Sequence, residues 1–135
     1  MSAGAVMRFA GYAALFDIPD AGHDIIRKGA FAHCLAARES PLPLFWQHRA
    51  SAQLGKIEQI AEDERGLRVI ASIDQPHSRA VNLLRAGQIS GLSFGYRAKQ
   101  FRRSKGIREL FEIELFEISL VSDPLQHRAR VHLIS

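Results

Sequence analysis

Apolar and polar residues alternate along most of this chain with a period of two, in short runs broken by Gly, Pro and Asp clusters. That is the pattern of half-buried strands. Val6 to Ala14 predicts a strand, with Gly11 inside it as a bulge signal. Asp17 to Gly22 reads as a loop, and His23 to Gly29 as a short extended piece. Pro41 and Pro43 favour extended backbone before each proline, and Leu42 to His48 follows as a strand. Leu54 to Ala61 and Gly66 to Ile73 flank Glu62-Asp63-Glu64-Arg65 and predict a hairpin. Gln88 to Lys99 and Ile107 to Val121 predict two strands joined around Gly106, and Ala129 to Ile134 a last short one. The period becomes helical twice. Over Ala30 to Arg38, residues Phe31, Cys34, Leu35 and Arg38 form an i, i+3, i+4, i+7 stripe. Arg79 to Ala86 follows Pro76 and Ser78, which suit a first turn, and stops at Gly87. About seven short strands and a pair of helices predict a mainly β fold with flanking helices, a barrel or sandwich rather than alternating βαβ units.

The length of 135 residues predicts a single domain over 1–135. An apolar content of 47% is ordinary for a globular chain, and no apolar run approaches the ~20 residues of a membrane span. No signal-peptide pattern opens the chain, so no membrane partner is expected. A lone cysteine, Cys34, excludes an internal disulfide framework and points to a reducing, intracellular setting. His23, His33 and His77 lack metal-ligand spacing, and His127 and His132 lack acidic or thiolate companions. No phosphate-cradling glycine loop is present. Neither a metal nor a cofactor is expected. The net charge of +4 favours acidic partners, and Arg97, Lys99, Arg102, Arg103, Lys105 and Arg108 fall in a stretch without an acid. This stretch reads as a solvated hairpin tip. Nucleic-acid contact through Arg97–Arg108 is the less favoured reading, because Phe101 is its one aromatic residue.

Three positions carry candidate chemistry. Ser93 lies in Gly91-Leu92-Ser93-Phe94-Gly95-Tyr96, where glycines let another backbone approach a hydroxyl closely. No helix signal follows, so this is not an α/β-hydrolase elbow. His48 ends the run Phe45-Trp46-Gln47-His48, and one-sided burial there would lower its pKa toward that of a general base. Glu117 sits inside Leu115-Phe116-Glu117-Ile118-Ser119-Leu120-Val121. In a regular strand it shares a face with Phe111, Ile113, Leu115 and Ser119, and a carboxylate so placed needs a partner, an imidazole or an arginine. A hydroxyl, an imidazole and a carboxylate are the parts of a serine hydrolase.

The residues also resemble a known family. Phe9-x-Gly11-Tyr12-Ala13-Ala14-x-Phe16, Asp24-Ile25-Ile26-x-x-Gly29-Ala30-Phe31, Leu44-x-Trp46-x-His48 and Leu54-Gly55-x-Ile57 resemble segments of the caudoviral prohead proteases. So do Glu62-Asp63-x-x-Gly66-Leu67, Gly91-Leu92-Ser93-x-Gly95-Tyr96 and Leu115-x-Glu117-Ile118-Ser119-Leu120-Val121-x-x-Pro124. The resemblance implies a serine endopeptidase of the herpesvirus-assemblin-like fold, a closed or nearly closed β-barrel with helices packed around it. It implies an enzyme that acts in the cytoplasm of a bacterial host, inside the immature capsid. There it cleaves the scaffold or the delta segment of the major capsid protein, and itself. By motif, Ser93 is the nucleophile and His48 the general base; assemblins use a second histidine as third member, where the matching strand here offers Glu117. Gly91 and Arg128 or Arg130 are the candidate substrate and oxyanion contacts. A homodimer is implied, as assemblins associate. The chain ends soon after Val131 without the tail that relatives remove by self-cleavage, which fits a trimmed form, a prophage or a gene-transfer agent. The alternative is an inactive capsid-assembly or scaffold-binding module that keeps the fold.

Overall fold

The structure is a computed structural model and describes residues 6–135; residues 1–5 of the expected 1–135 domain lie outside it. It contains β1 (Met7–Leu15), β2 (Asp24–Ile26), α1 (Ala32–Ala37), β3 (Pro43–Trp46), β4 (Arg49–Glu62), β5 (Gly66–Ile73), α2 (Arg79–Arg85), β6 (Gly91–Ser104), β7 (Ile107–Val121) and β8 (Val131–Ile134). The strands form one sheet in the order β2-β7-β3-β4-β5-β1-β8, with β6 paired to β7. β7 is the hub. It takes β6 antiparallel along its length, β2 parallel near its start and β3 parallel near its end.

The mainly β class stands, but the strand ladder does not close into the expected barrel. β8 is four residues long and pairs with β1. On its other side the chain meets β6 only just before β8 begins, through an isolated Gly91–Arg130 bridge. There Leu92 N donates to Ala129 O at 2.8 Å and Val131 N to Ser90 O at 2.8 Å.

The core is apolar and lies on one face of the strands, where Phe9, Leu44, Leu67, Ile73, Leu92 and Leu120 pack with Val81 and Leu84 from α2. In β7 the residues of the core cluster are Leu110, then Ile113 and Leu115, then Ile118 and Leu120. Their parity switches twice, and each switch falls at a residue that the β6 register skips, Phe111 and Phe116. These are bulge residues, 42% and 52% exposed. A regular strand would put Phe111, Leu115 and Glu117 on one face, as the sequence pattern predicts. The bulge at Phe116 instead turns Glu117 and Ser119 away from the core face that Ile118 and Leu120 occupy.

The basic stretch is mostly ladder rather than hairpin tip. Arg97 pairs with Glu114 (2.7 Å), Arg102 with Glu109 (3.1 Å) and Arg108 with Asp24 (2.8 Å), so acids from β7 and β2 offset much of its charge. Residues 100–106 are all exposed, and the strands reverse at Lys105 and Gly106, both left-handed. α1 starts later than the stripe predicts because residues 29–31 form a turn held by Glu62. Its Oε1 accepts from Gly29 N at 2.9 Å and its Oε2 from Phe31 N at 2.8 Å.

Two polar anchors tie remote segments to this frame. Buried Gln126 acts as a surrogate strand residue: Leu15 N donates to its Oε1 (2.7 Å) and its Nε2 donates to Leu15 O (2.8 Å). Buried Asp24 accepts from Arg108 Nε (2.9 Å) and Nη2 (2.8 Å) and from the Tyr96 hydroxyl (2.8 Å). The Arg108 guanidinium holds the Asp24 carboxyl below the usual carboxylate range, while burial pushes the Tyr96 phenol up to about 12.

Gln126→Ala strips both main-chain groups of Leu15 of their partner and is expected to destabilise by about 1–3 kcal/mol, read as a fall in the urea midpoint. A depressed folded-state pKa stabilises above the ordinary carboxylate pKa and loses that contribution as pH falls through the folded value. Asp24→Asn is accordingly less stable than wild type at neutral pH, and urea midpoints measured on descending pH converge as the acid limit is approached.

Candidate active site

β3 and β4 are joined by a two-residue turn, Gln47-His48, with Trp46 opposite Arg49. Both turn residues are left-handed, with φ of 52° and 62°. A type I′ hairpin turn demands this at its two central positions and normally uses Asn or Gly there. Neither Gln nor His signals such a turn, which is why the strand is predicted to run on through His48. The conformation costs of order 1–3 kcal/mol per non-Gly residue and persists where the surroundings over-determine it.

The end of β7 supplies those surroundings. Gln47 N donates to Leu120 O at 2.9 Å. The Gln47 amide exchanges a pair of hydrogen bonds with Ser122, Nε2 donating to Oγ at 2.7 Å and Ser122 N donating to Oε1 at 3.1 Å. His48 N donates to Ser119 Oγ at 3.1 Å, and His48 Nδ1 lies 2.5 Å from Glu117 Oε1. The turn thus delivers the imidazole onto the face that the Phe116 bulge gives to Glu117.

The pKa expectation for His48 is reversed. Burial of its ring acts downward, but the hydrogen bond to Glu117 is the larger influence and raises the imidazole above the ordinary histidine range. The reason is geometric: the ring is 44% exposed, and the carboxylate it meets is 8% exposed.

Ser93 is buried in β6 directly opposite Ser119, and Gly95 is opposite Glu117. Cross-strand partners share a face, so Ser93, Ser119 and Glu117 lie together on the side away from Leu92 and Phe94. Gly95 is required by this arrangement. A Cβ there would stand 2.5 Å from Glu117 Oε1, so the carboxylate lies over the bare glycine backbone. Gly91 is closely packed too, its missing Cβ site 2.6 Å from Val121 O and 2.8 Å from Pro124 Cδ.

The candidate arginines differ. Arg130 is pinned beside the start of β6, its Nε donating to His127 O (2.7 Å) and its Nη1 to Ser90 Oγ (3.2 Å). Arg128 is exposed and makes no side-chain hydrogen bond among the described residues. Among those residues no cluster of His, Cys, Asp and Glu is placed to hold a metal, and no helix is long and apolar enough to cross a membrane. Sequence reasoning missed Gln47, Ser122 and the roles of Gly95 and Ser119. Of these, Gly95 left a signal as one of the two glycines flanking Ser93, and Ser119 as a hydroxyl two residues past Glu117 in an apolar run.

Known proteins resemble this chain in sequence or in fold. The prohead protease of Enterobacteria phage HK97 is 37% identical over 92 residues, 65% of this chain and 41% of that protein. The capsid polyprotein of Pseudomonas phage PAJU2 is 28% identical over 126 residues, 84% of this chain and 18% of that protein. This chain therefore spans less than half the length of either relative. Among solved structures, KSHV protease bound to a hexapeptide phosphonate inhibitor has a TM-score of 0.67 at 11% identity, covering 96% of this chain and 65% of that one. The bacteriophage T4 capsid assembly protease has a TM-score of 0.66 at 15% identity, covering 87% and 82%. At these identities the likeness is one of fold. The family model described as caudovirus prohead serine protease matches residues 2–135, and the chain belongs to that family.

Proposed function

We propose that this chain is the peptidase domain of a capsid-maturation protease that works by acyl transfer with Ser93, His48 and Glu117. The observation that carries the reading is the 2.5 Å contact between His48 Nδ1 and Glu117 Oε1, on the face to which β6 presents Ser93. In this reading Nδ1–H points at the carboxylate, leaving Nε2 as the base. His48 takes the Ser93 proton as Oγ attacks the scissile carbonyl, and returns it to the leaving amine. Water then attacks the acyl-enzyme by the same route. Glu117 fixes the tautomer and stabilises the imidazolium. Backbone N–H groups near Gly91, with Arg130 or Arg128, hold the oxyanion.

The substrate class in this proposal is a phage capsid or scaffold protein, and the chain itself. The support is family membership and two relatives named as a prohead protease and a capsid polyprotein. The site of action is the immature capsid in a bacterial host, and the working unit is a homodimer.

Co-expression with the major capsid or scaffold protein encoded beside it, wild type against Ser93→Ala, tests the reading by intact mass. A defined truncation is expected with wild type alone; equal truncation in both overturns the mechanism. Cleavage rates should fall roughly 10⁶-fold for His48→Ala and roughly 10⁴-fold for Glu117→Gln, the sizes found on removing a base or its carboxylate from other triads. Catalysis needs neutral His48, whose pKa is raised. The acidic limb of kcat/KM is expected above the ordinary histidine range, and Glu117→Gln should move it down. The linked stability term runs the other way: it is present below the unfolded-state histidine pKa and is lost as pH rises through the folded value. Gly95→Ala, which forces the Glu117 carboxylate aside, is expected to lower kcat on the order of 100-fold with Ser93 and His48 intact.

A further inference from the structure

Ser119 is fully buried in β7, directly opposite Ser93. Its hydroxyl has one proton and spends it on Glu117 Oε2 at 2.5 Å. Its lone pair accepts from His48 N at 3.1 Å. Both partners belong to the imidazole–carboxylate pair, and Glu117 Oε1 is already taken by the His48 ring. The two carboxylate oxygens are thus bound from different sides, which fixes the plane of the group. A hydroxyl between Ile118 and Leu120 has no packing reason to be there, since an apolar residue suits a buried strand better and a buried hydroxyl costs free energy unless bonded.

We propose that Ser119 is a positioning residue of the active site, its single hydroxyl locking the Glu117 carboxylate and the His48 turn into one arrangement that aims the imidazole at Ser93. The proposal rests on the reading of Ser93, His48 and Glu117 as a hydrolase site. The turn keeps independent supports in the Gln47–Ser122 pair and the Gln47 N to Leu120 O bond. Loss of the Ser119 hydroxyl therefore leaves the hairpin in place and frees the alignment of imidazole and carboxylate. Its consequence falls on chemistry more than on folding.

The surroundings of His48 make the consequence readable. Glu117, from β7, is the charged group that acts on the ring. Gln47 in the same turn and Ser93 on the same face from β6 are neutral, and Arg49 at the start of β4 is exposed. A loosened contact with Glu117 therefore lets the imidazole titrate closer to its ordinary range.

The test uses a fluorophosphonate probe on the full chain, read by intact mass, together with NMR titration of the His48 imidazole. In phosphonylation the Ser93 Oγ–P bond forms as fluoride leaves, and the Ser93 proton passes to His48. Ser119→Ala is expected to slow phosphonylation on the order of 100-fold and to lower the His48 midpoint toward the ordinary value. Ser119→Cys, which keeps the volume and weakens the donor, should move both readouts in the same direction and keeps the test open if the alanine variant does not fold. Ser119→Thr, which retains a hydroxyl, should restore both. Ser122→Ala, which weakens the hairpin without touching Glu117, should leave the His48 midpoint in place. Wild-type rate and midpoint in both Ser119→Ala and Ser119→Cys overturn the proposal, as does an equal midpoint shift in Ser122→Ala. A wild type that is not phosphonylated at Ser93 overturns the hydrolase reading instead, and the His48 midpoints then decide the role of Ser119 alone.

Discussion

The left-handed Gln47-His48 turn is the constraint around which the site is organised. Two bulky residues adopt a conformation that glycine and asparagine usually supply, and they do so because the end of β7 meets them with a full set of partners. Leu120 O, Ser122, Ser119 and Glu117 take up the main-chain and side-chain groups of the turn. The strain and the site are one feature. A relaxed two-residue turn would let β3 pass into β4 just as well but would carry no imidazole onto Glu117. Local strain of this kind persists where the rest of the fold over-determines it.

β7 can play this part because it is neither regular nor peripheral. Three strands pair with it, so its position is set along its whole length. Its bulges at Phe111 and Phe116 exchange the core and outer faces, so that apolar side chains stay inside while Glu117 and Ser119 emerge opposite β6. The matching face of β6 is kept low by Gly95, over which the carboxylate lies. An extra residue in one strand and a missing side chain in the next thus create the space for a buried carboxylate beside Ser93. Bulges are enriched next to active sites for this reason: they re-aim a side chain without moving the strand.

Polar groups elsewhere serve the frame rather than the chemistry. Gln126 substitutes for a strand against β1, Glu62 caps the turn into α1, and Asp24 ties β2 to Arg108 and Tyr96. The basic stretch is largely absorbed in the same way, since arginines of β6 and β7 find acids on β7 and β2. Charge that looks concentrated along the chain is partly offset in space.

The sequence by itself determined the mainly β class, the positions of most strands, the helix after Ser78 and, through residues spread from Phe9 to Pro124, the family. These are properties of local periodicity, of turn residues and of motif order, and they need no knowledge of what packs against what. It also singled out the histidine and the carboxylate that the fold brings into contact. The tertiary structure alone decided that the His48 strand breaks into a strained turn, since Gln-His carries no turn signal and the partners that enforce it lie some seventy residues away along the chain. It decided the outward face of Glu117, because a bulge is a mismatch between two strands and is invisible in either one alone. It reversed the direction of the His48 pKa, because the group that raises it arrives from β7. It also left the sheet without a ladder between β6 and β8, because which strand edges come face to face is set by how remote strands pack and not by local pattern; there the two segments share a single Gly91–Arg130 bridge.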